Sequence, residues 1–388
     1  MKVRRVSVIA LTLLSLLLVT GCTTTPHAPA SAPSRSGTTT STAPLTTTST
    51  RPGTASDLAL FDPLSFTAVS LKEWWLLGSI PCDKSQRCPE IVRTTDGGTR
   101  FEQLTAPDFG WVSNGIMDSG LRFADASHGW IFGPGLWSTD DGGLTWAQQR
   151  VSGTVTDVEA ADGEAYALIC PKGAASCPTM ELLRTAVSGG SWSEVNLPAP
   201  LFVGSELAVQ GDAVFLMNGT GDQQGDQGSS LLVSSDGGRT FAVEQSECTP
   251  GLGGHVQPAI TGGGVLWESC PTGMEAQGRQ SDDYGATWHA LFPNDEFSNE
   301  LSFAAVSAST ALVWPVPPSG GLALTTDGGR TLHTVFQGPS GSDLLWVGYS
   351  DPSRAYLLLA TNTPPYGGQL WKSNDGGATW AQVRFTTG

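Results

Sequence analysis

From about residue 60 to the C terminus, short stretches with apolar residues at every second position are separated by polar and glycine-rich punctuation. A period of two belongs to strands whose two faces meet different surroundings, and such brevity predicts an antiparallel β architecture. One segment shows the unit. Gly120-Leu121-Arg122-Phe123-Ala124 reads as an inner strand, Gly129-Trp130-Ile131-Phe132 as a second, Gly135-Leu136-Trp137-Ser138 as a third, and Thr145-Trp146-Ala147-Gln148 as an outer one. The end of the chain repeats the order with Leu344-Leu345-Trp346-Val347, Ala355-Tyr356-Leu357-Leu358, Gln369-Leu370-Trp371-Lys372 and Thr379-Trp380-Ala381-Gln382.

Between the third and fourth strands of each unit the same turn recurs. It is complete at 139–146, 281–288 and 373–380, and it returns at 94–101, 185–192, 234–241 and 325–332. Its third positions, Asp96, Asp141, Val187, Asp236, Asp283, Asp327 and Asp375, stand 45, 46, 49, 47, 44 and 48 residues apart. That is the length of a four-stranded propeller blade, so the expected fold is all-β, a single seven-bladed β-propeller.

The pattern S/T-x-D-x-G-x-T-W resembles the Asp-box, or BNR, repeat of sialidases, of the sortilin family and of the propeller-type photosystem assembly factors. The resemblance runs from about Ser65 to the C terminus. In such a turn the carboxylate can accept backbone N–H groups, glycine supplies positive φ, and the final aromatic packs between sheets. Asp96, Asp141, Asp236, Asp283, Asp327 and Asp375 therefore read as structural. Two copies depart from the pattern, with Val187 for the aspartate and Arg100 for the threonine. Looser turns on intact blades are expected there.

In an up-and-down meander the turns of this kind share one side of the disc. The six cysteines after residue 22 fall in connections of the other side, and local pairing would join Cys82 with Cys88, Cys170 with Cys177 and Cys248 with Cys270, out of fifteen formal connectivities. Loops 107–119, 198–204, 219–229, 314–321 and 361–368 share that side, which makes it the expected binding face. Phe109, Trp111, Trp314 and Tyr366 are its candidate binding rings. No metal site or cofactor is expected: there is no C-x-x-C pair, the five histidines are scattered, and the acidic loop 221–228 lacks the ligand set of an EF-hand.

The N terminus adds an address. Lys2, Arg4 and Arg5 precede an apolar run ending in Val19-Thr20-Gly21-Cys22, which looks like a bacterial lipobox closing a signal peptide over residues 1–21. Cys22 would then carry lipid such as palmitate, and the protein would be extracytoplasmic, tethered to the bacterial cell membrane by the lipid alone. Residues 22–56, almost all Thr, Ser, Pro and Ala, read as a disordered stalk that extends roughly 100 Å at about 3.1 Å per residue. The propeller takes 57–388. Loss of three cations with the signal would move the net charge from −16 to −19, which argues against nucleic acid.

Two functions compete. A lipoprotein of this build is expected to be a monomeric, non-catalytic binding or assembly platform for an envelope protein or glycan. The alternative is a glycoside hydrolase of sialidase-like type, which the resemblance would supply with three arginines and a tyrosine nucleophile. Arg87-Cys88-Pro89 is a poor match to the arginine motif, and Arg93, Arg122 and Arg184 form no evident triad. Box-bearing xyloglucan hydrolases place their acids between two propellers, and this chain has length for one. No catalytic residue is assigned.

Overall fold

Four consecutive strands make each repeat unit into an antiparallel sheet, and the seven sheets form a seven-bladed β-propeller. The computed structural model describes residues 58–387, apart from 84–85, 110–118, 172–176, 178, 219–229, 247, 249–253, 293–296, 299–300, 315–320 and 362–366. Blades 1 to 7 begin with the strands Asp62–Ala68, Gly120–Phe123, Gly153–Ala161, Glu206–Gln210, His255–Pro258, Ser302–Ala305 and Ser342–Asp351. Each first strand touches the first strand of the next blade, and that of blade 7 touches that of blade 1. The first strands thus form the innermost ring. Among the described residues the one helical element is the 3-10 turn Leu58–Leu60, and no helix is long and apolar enough to cross a membrane.

The strands follow the alternation, with a shift at their outer ends. In blade 2 the fourth strand is Ala147–Gln149, because Thr145 and Trp146 still serve the turn before it. In blades 3 and 5 the outer edge is broken in two. Ser193–Glu194 and Leu201–Phe202 both pair with Thr179–Ala186, separated by Pro198 and Pro200, and His289–Ala290 and Phe297–Ser298 both pair with Glu275–Ser281. Proline has no N–H for the ladder, so the outer strand of blade 3 leaves and rejoins its sheet.

The core comprises seven clusters, one between each pair of neighbouring blades. Between blades 1 and 2, fully buried Trp75 stacks on Phe123 at 4.0 Å and donates its indole N–H to the Gly142 carbonyl at 2.9 Å. Between blades 7 and 1, Phe66, Trp74 and Tyr356 pack together, and Phe61 meets Phe385 at 5.0 Å. The Phe101 N–H donates to Thr386 O at 2.9 Å and Lys372 Nζ to Gly97 O at 3.0 Å. Blades 1 and 7 each supply their own four strands, so the ring closes by packing without strand exchange.

The turns show what the repeated residues do. In blade 2 the Thr139 hydroxyl donates to Asp141 Oδ1 at 2.8 Å and accepts the Gly143 N–H at 2.9 Å. Asp141 in turn accepts the Thr145 N–H and hydroxyl, at 2.8 and 2.6 Å. Gly142 and Gly143 have φ of 76° and 92°, where a Cβ would be strained. With Arg100 in place of threonine, the first turn loses the hydroxyl bond but keeps both backbone bonds to Asp96, at 2.9 and 3.0 Å. The third turn departs much further.

All three disulfides lie on the side away from these turns: Cys82–Cys88, Cys170–Cys177 and Cys248–Cys270. The sulfurs of Cys248 and Cys270 stand close to the buried Glu268 carboxylate, and being bonded to each other they are not free thiolate ligands.

Candidate active site

Two of the rings expected on the binding face are core residues. Phe109 is 4% exposed in the cluster between blades 1 and 2, and Trp314 is 3% exposed between blades 6 and 7. Proline- and glycine-rich surroundings announce a loop, but the ring at its edge is drawn into the gap between two sheets, where it removes more apolar area from water. Trp111 and Tyr366 lie outside the described residues, as does Cys22.

The arginines stand apart from one another. Arg93 pairs with Glu73 at 3.2 Å and lies over the Trp75 ring. Arg184 pairs with Glu164 at 3.2 Å and donates to Gly237 O of blade 4 at 2.9 Å. Arg87 is bound to Ser79, at 2.8 Å to its hydroxyl. Each ties its own strand to a neighbour, and only Arg122 belongs to the inner ring.

There, Arg122 of blade 2 forms an ion pair with Glu159 of blade 3 and donates from Nε to Val158 O at 3.2 Å. Glu159 and Asp157 occupy the first strand of blade 3, where the register slips between Val155 and Asp157. The bulge at Thr156 resets the alternation, so that Val155 and Val158 are both buried while Asp157 and Glu159, two residues apart, share a face. On the next two first strands, Glu206 of blade 4 is hydrogen-bonded to His255 of blade 5 through Nδ1. Five polar side chains from four successive blades thus converge at the centre of the ring.

Their surroundings sort their protons. Burial pushes the Asp157 carboxyl up to about 7, with the Glu159 charge adding to the effect and Arg122 opposing it. Burial raises Glu159 as well, against the pull of the Arg122 guanidinium. Because Glu159 holds the ion pair with Arg122, the pull on the proton of this coupled pair is toward Asp157. Donating from Nδ1 to the Glu206 carboxylate raises His255, desolvation working the other way. A carboxyl that keeps its proton near pH 7 beside other carboxylates is equipped for general acid catalysis.

No protein-family model matches the chain. A curated relative is the xyloglucanase of Hypocrea jecorina (strain QM6a), 22% identical over 414 residues covering 85% of this chain. The chain spans about half of that relative's length, 47%. This likeness overturns a purely non-catalytic platform. It favours the glycoside-hydrolase alternative over the expected binding or assembly role. Among solved structures, YCF48 bound to a D1 peptide is similar with a TM-score of 0.53 and 17% identity, covering 82% of this chain and 95% of that one. The Pyrococcus horikoshii acylaminoacyl peptidase is similar with a TM-score of 0.59 and 9% identity, covering 84% of this chain and 53% of that one. At such identities these structures speak for the propeller fold alone.

Arg122 is legible in the sequence as an inner-strand residue, whereas its partners Asp157, Glu159, Glu206 and His255 are not. The available signal was the acidic pair in Val155-Thr156-Asp157-Val158-Glu159, two carboxylates spaced two residues apart on one inner strand.

Proposed function

We propose that the protein is a glycoside hydrolase acting on a polysaccharide of the xyloglucan class, with Asp157 as proton donor and Glu206 as the second carboxylate. What carries this reading is the inner-ring placement of Asp157, where burial and the Glu159 charge push its carboxyl up to about 7, with Glu206 on the next first strand and near enough for its charge to act on Asp157. Asp157 would protonate the glycosidic oxygen as the bond to the anomeric carbon breaks. Glu206, oriented by His255, would stabilise the positive charge growing on the sugar or activate water. Arg122 fixes Glu159 and so sets the field that Asp157 feels. The xyloglucanase relative supports the substrate class.

The test is release of reducing ends from xyloglucan by the full chain. Asp157→Asn and Glu206→Gln should each lower kcat/KM by at least about a hundredfold. The donor works only when protonated, so the wild-type rate should fall as pH rises through about 7. Unchanged turnover in both variants would overturn the assignment of the acids, and no hydrolysis of any glucan by the wild type would overturn the reading itself.

The same proposal takes the repeated turns as Asp-boxes and residues 57–388 as the catalytic domain. It places that domain outside the cell on the 22–56 stalk, anchored by lipid on Cys22, as a monomer without nucleic-acid partners.

A further inference from the structure

In six of the seven turns the leading hydroxyl both donates to the aspartate and accepts a backbone N–H, as with Thr325, 3.0 Å from Asp327 Oδ1 and 2.9 Å from the Gly329 N–H. In the third it does neither. Thr185 is 8% exposed, and its Oγ1 has no hydrogen-bond partner. Two local changes produce this. Val187 supplies no carboxylate, and the turn has slipped by one residue. Elsewhere the fourth residue reaches back to the preceding hairpin, as Gly142 N–H does to Ser127 O at 2.8 Å, whereas here the third does so, Val187 N–H to Gly163 O at 2.8 Å. The Gly189 N–H, which an intact turn would aim at the hydroxyl, goes to Ala186 O at 3.1 Å.

The slipped turn borders a cleft of about 320 Å³ between blades 2 and 3, lined by Thr185, Trp192, Trp130, His128 and Gln149 among others. That is the lower end of the range for small-molecule sites. Trp192 is partly exposed and braced edge-to-face by buried Trp130, ring centroids 6.3 Å apart. His128 has Nδ1 engaged by Asp125 at 2.9 Å, which leaves Nε2 as its other polar atom. One carboxylate, Asp140, and no lysine or arginine line the cleft. An anionic ligand would find no counter-charge. The matching cleft between blades 5 and 6 has neither tryptophan nor an unsatisfied hydroxyl, and it includes Arg330.

An indole beside hydroxyl, imidazole and amide groups, in a nearly uncharged cleft, suits a sugar ring: apolar C–H groups lie against the indole while ring hydroxyls meet the polar groups. A buried hydroxyl without a partner is costly and is satisfied by a ligand that supplies one. We propose that this cleft is a binding subsite for a neutral pyranose unit of a glycan, with Trp192 as its stacking platform and Thr185 Oγ1 as a hydrogen-bonding anchor. It rests on the polysaccharide reading for the choice of sugar, and it lies on other elements than the inner-ring carboxylates.

The experiment titrates cellotetraose into the full chain carrying Asp157→Asn, following tryptophan fluorescence and, in parallel, calorimetric heat. Saturable binding is expected. Trp192→Ala in that background should weaken it at least tenfold, Trp192→Phe less, and Thr185→Val about threefold, with the thermal midpoint of Thr185→Val unchanged or raised because an unsatisfied hydroxyl is removed. Binding that is absent, or the same in Trp192→Ala and Thr185→Val as in their parent, overturns the subsite. If the wild type hydrolyses no glucan while cellotetraose still binds through Trp192, the hydrolase reading falls and the subsite stands.

Discussion

A hydroxyl and a carboxylate two residues apart decide how six of the seven turns are held. The Asp375 oxygens accept the Ser373 hydroxyl at 2.7 Å, the Thr379 N–H at 2.8 Å and the Thr379 hydroxyl at 2.6 Å, and this hydrogen bonding lowers the carboxyl to about 2. Asp141, Asp236, Asp283 and Asp327 are lowered in the same way. A carboxyl depressed in the folded state contributes stability above its unfolded value, near 4, and that contribution fades as pH falls toward the folded value. The thermal midpoint should therefore drop between about pH 4 and pH 2, and Asp375→Asn should be less sensitive than wild type over that window. Scanning calorimetry at stepped pH checks this, and parallel curves for the two proteins would count against it. Tyr284 marks the one turn where a non-glycine residue takes the positive φ, 63°, and its ring is packed near Phe215.

At the scale of elements, much was legible because the signals were local. A turn of fixed composition at 44 to 49 residue intervals reports a blade without reference to any other part of the chain. The third turn's missing aspartate was equally plain in Val187, and a loosened turn was expected, although its slip and the orphaned Thr185 hydroxyl depend on backbone geometry. What was not legible depends on neighbours. Whether Phe109 and Trp314 point to water or into the next blade is decided across an interface, and Asp157, Glu206 and Arg122 meet only once separate blades stand side by side. The interfaces also carry the energy. Trp75→Ala removes the stack on Phe123 and the hydrogen bond to Gly142 together, and should cost about 3–5 kcal/mol in chemical denaturation. A loss under about 1 kcal/mol would show that blades 1 and 2 are held by other contacts.

At the scale of the whole molecule, the proposed lipid address can be tested apart from the fold. If Cys22 carries the anchor, Cys22→Ala should move the protein from the membrane fraction to the soluble fraction, with the proposed glucan hydrolysis unchanged. Persistence in the membrane fraction would show another mode of attachment. The described part of the chain begins and ends at one seam, where Phe61 meets Phe385 and Thr386 O receives the Phe101 N–H. Every other pair of adjacent blades is also linked by continuous main chain, so this seam alone relies wholly on side-chain burial and a few hydrogen bonds. Because its two ends are already neighbours, the wheel admits circular permutation: a short linker across the seam would let the polypeptide start at any other blade boundary with the same pairing of strands.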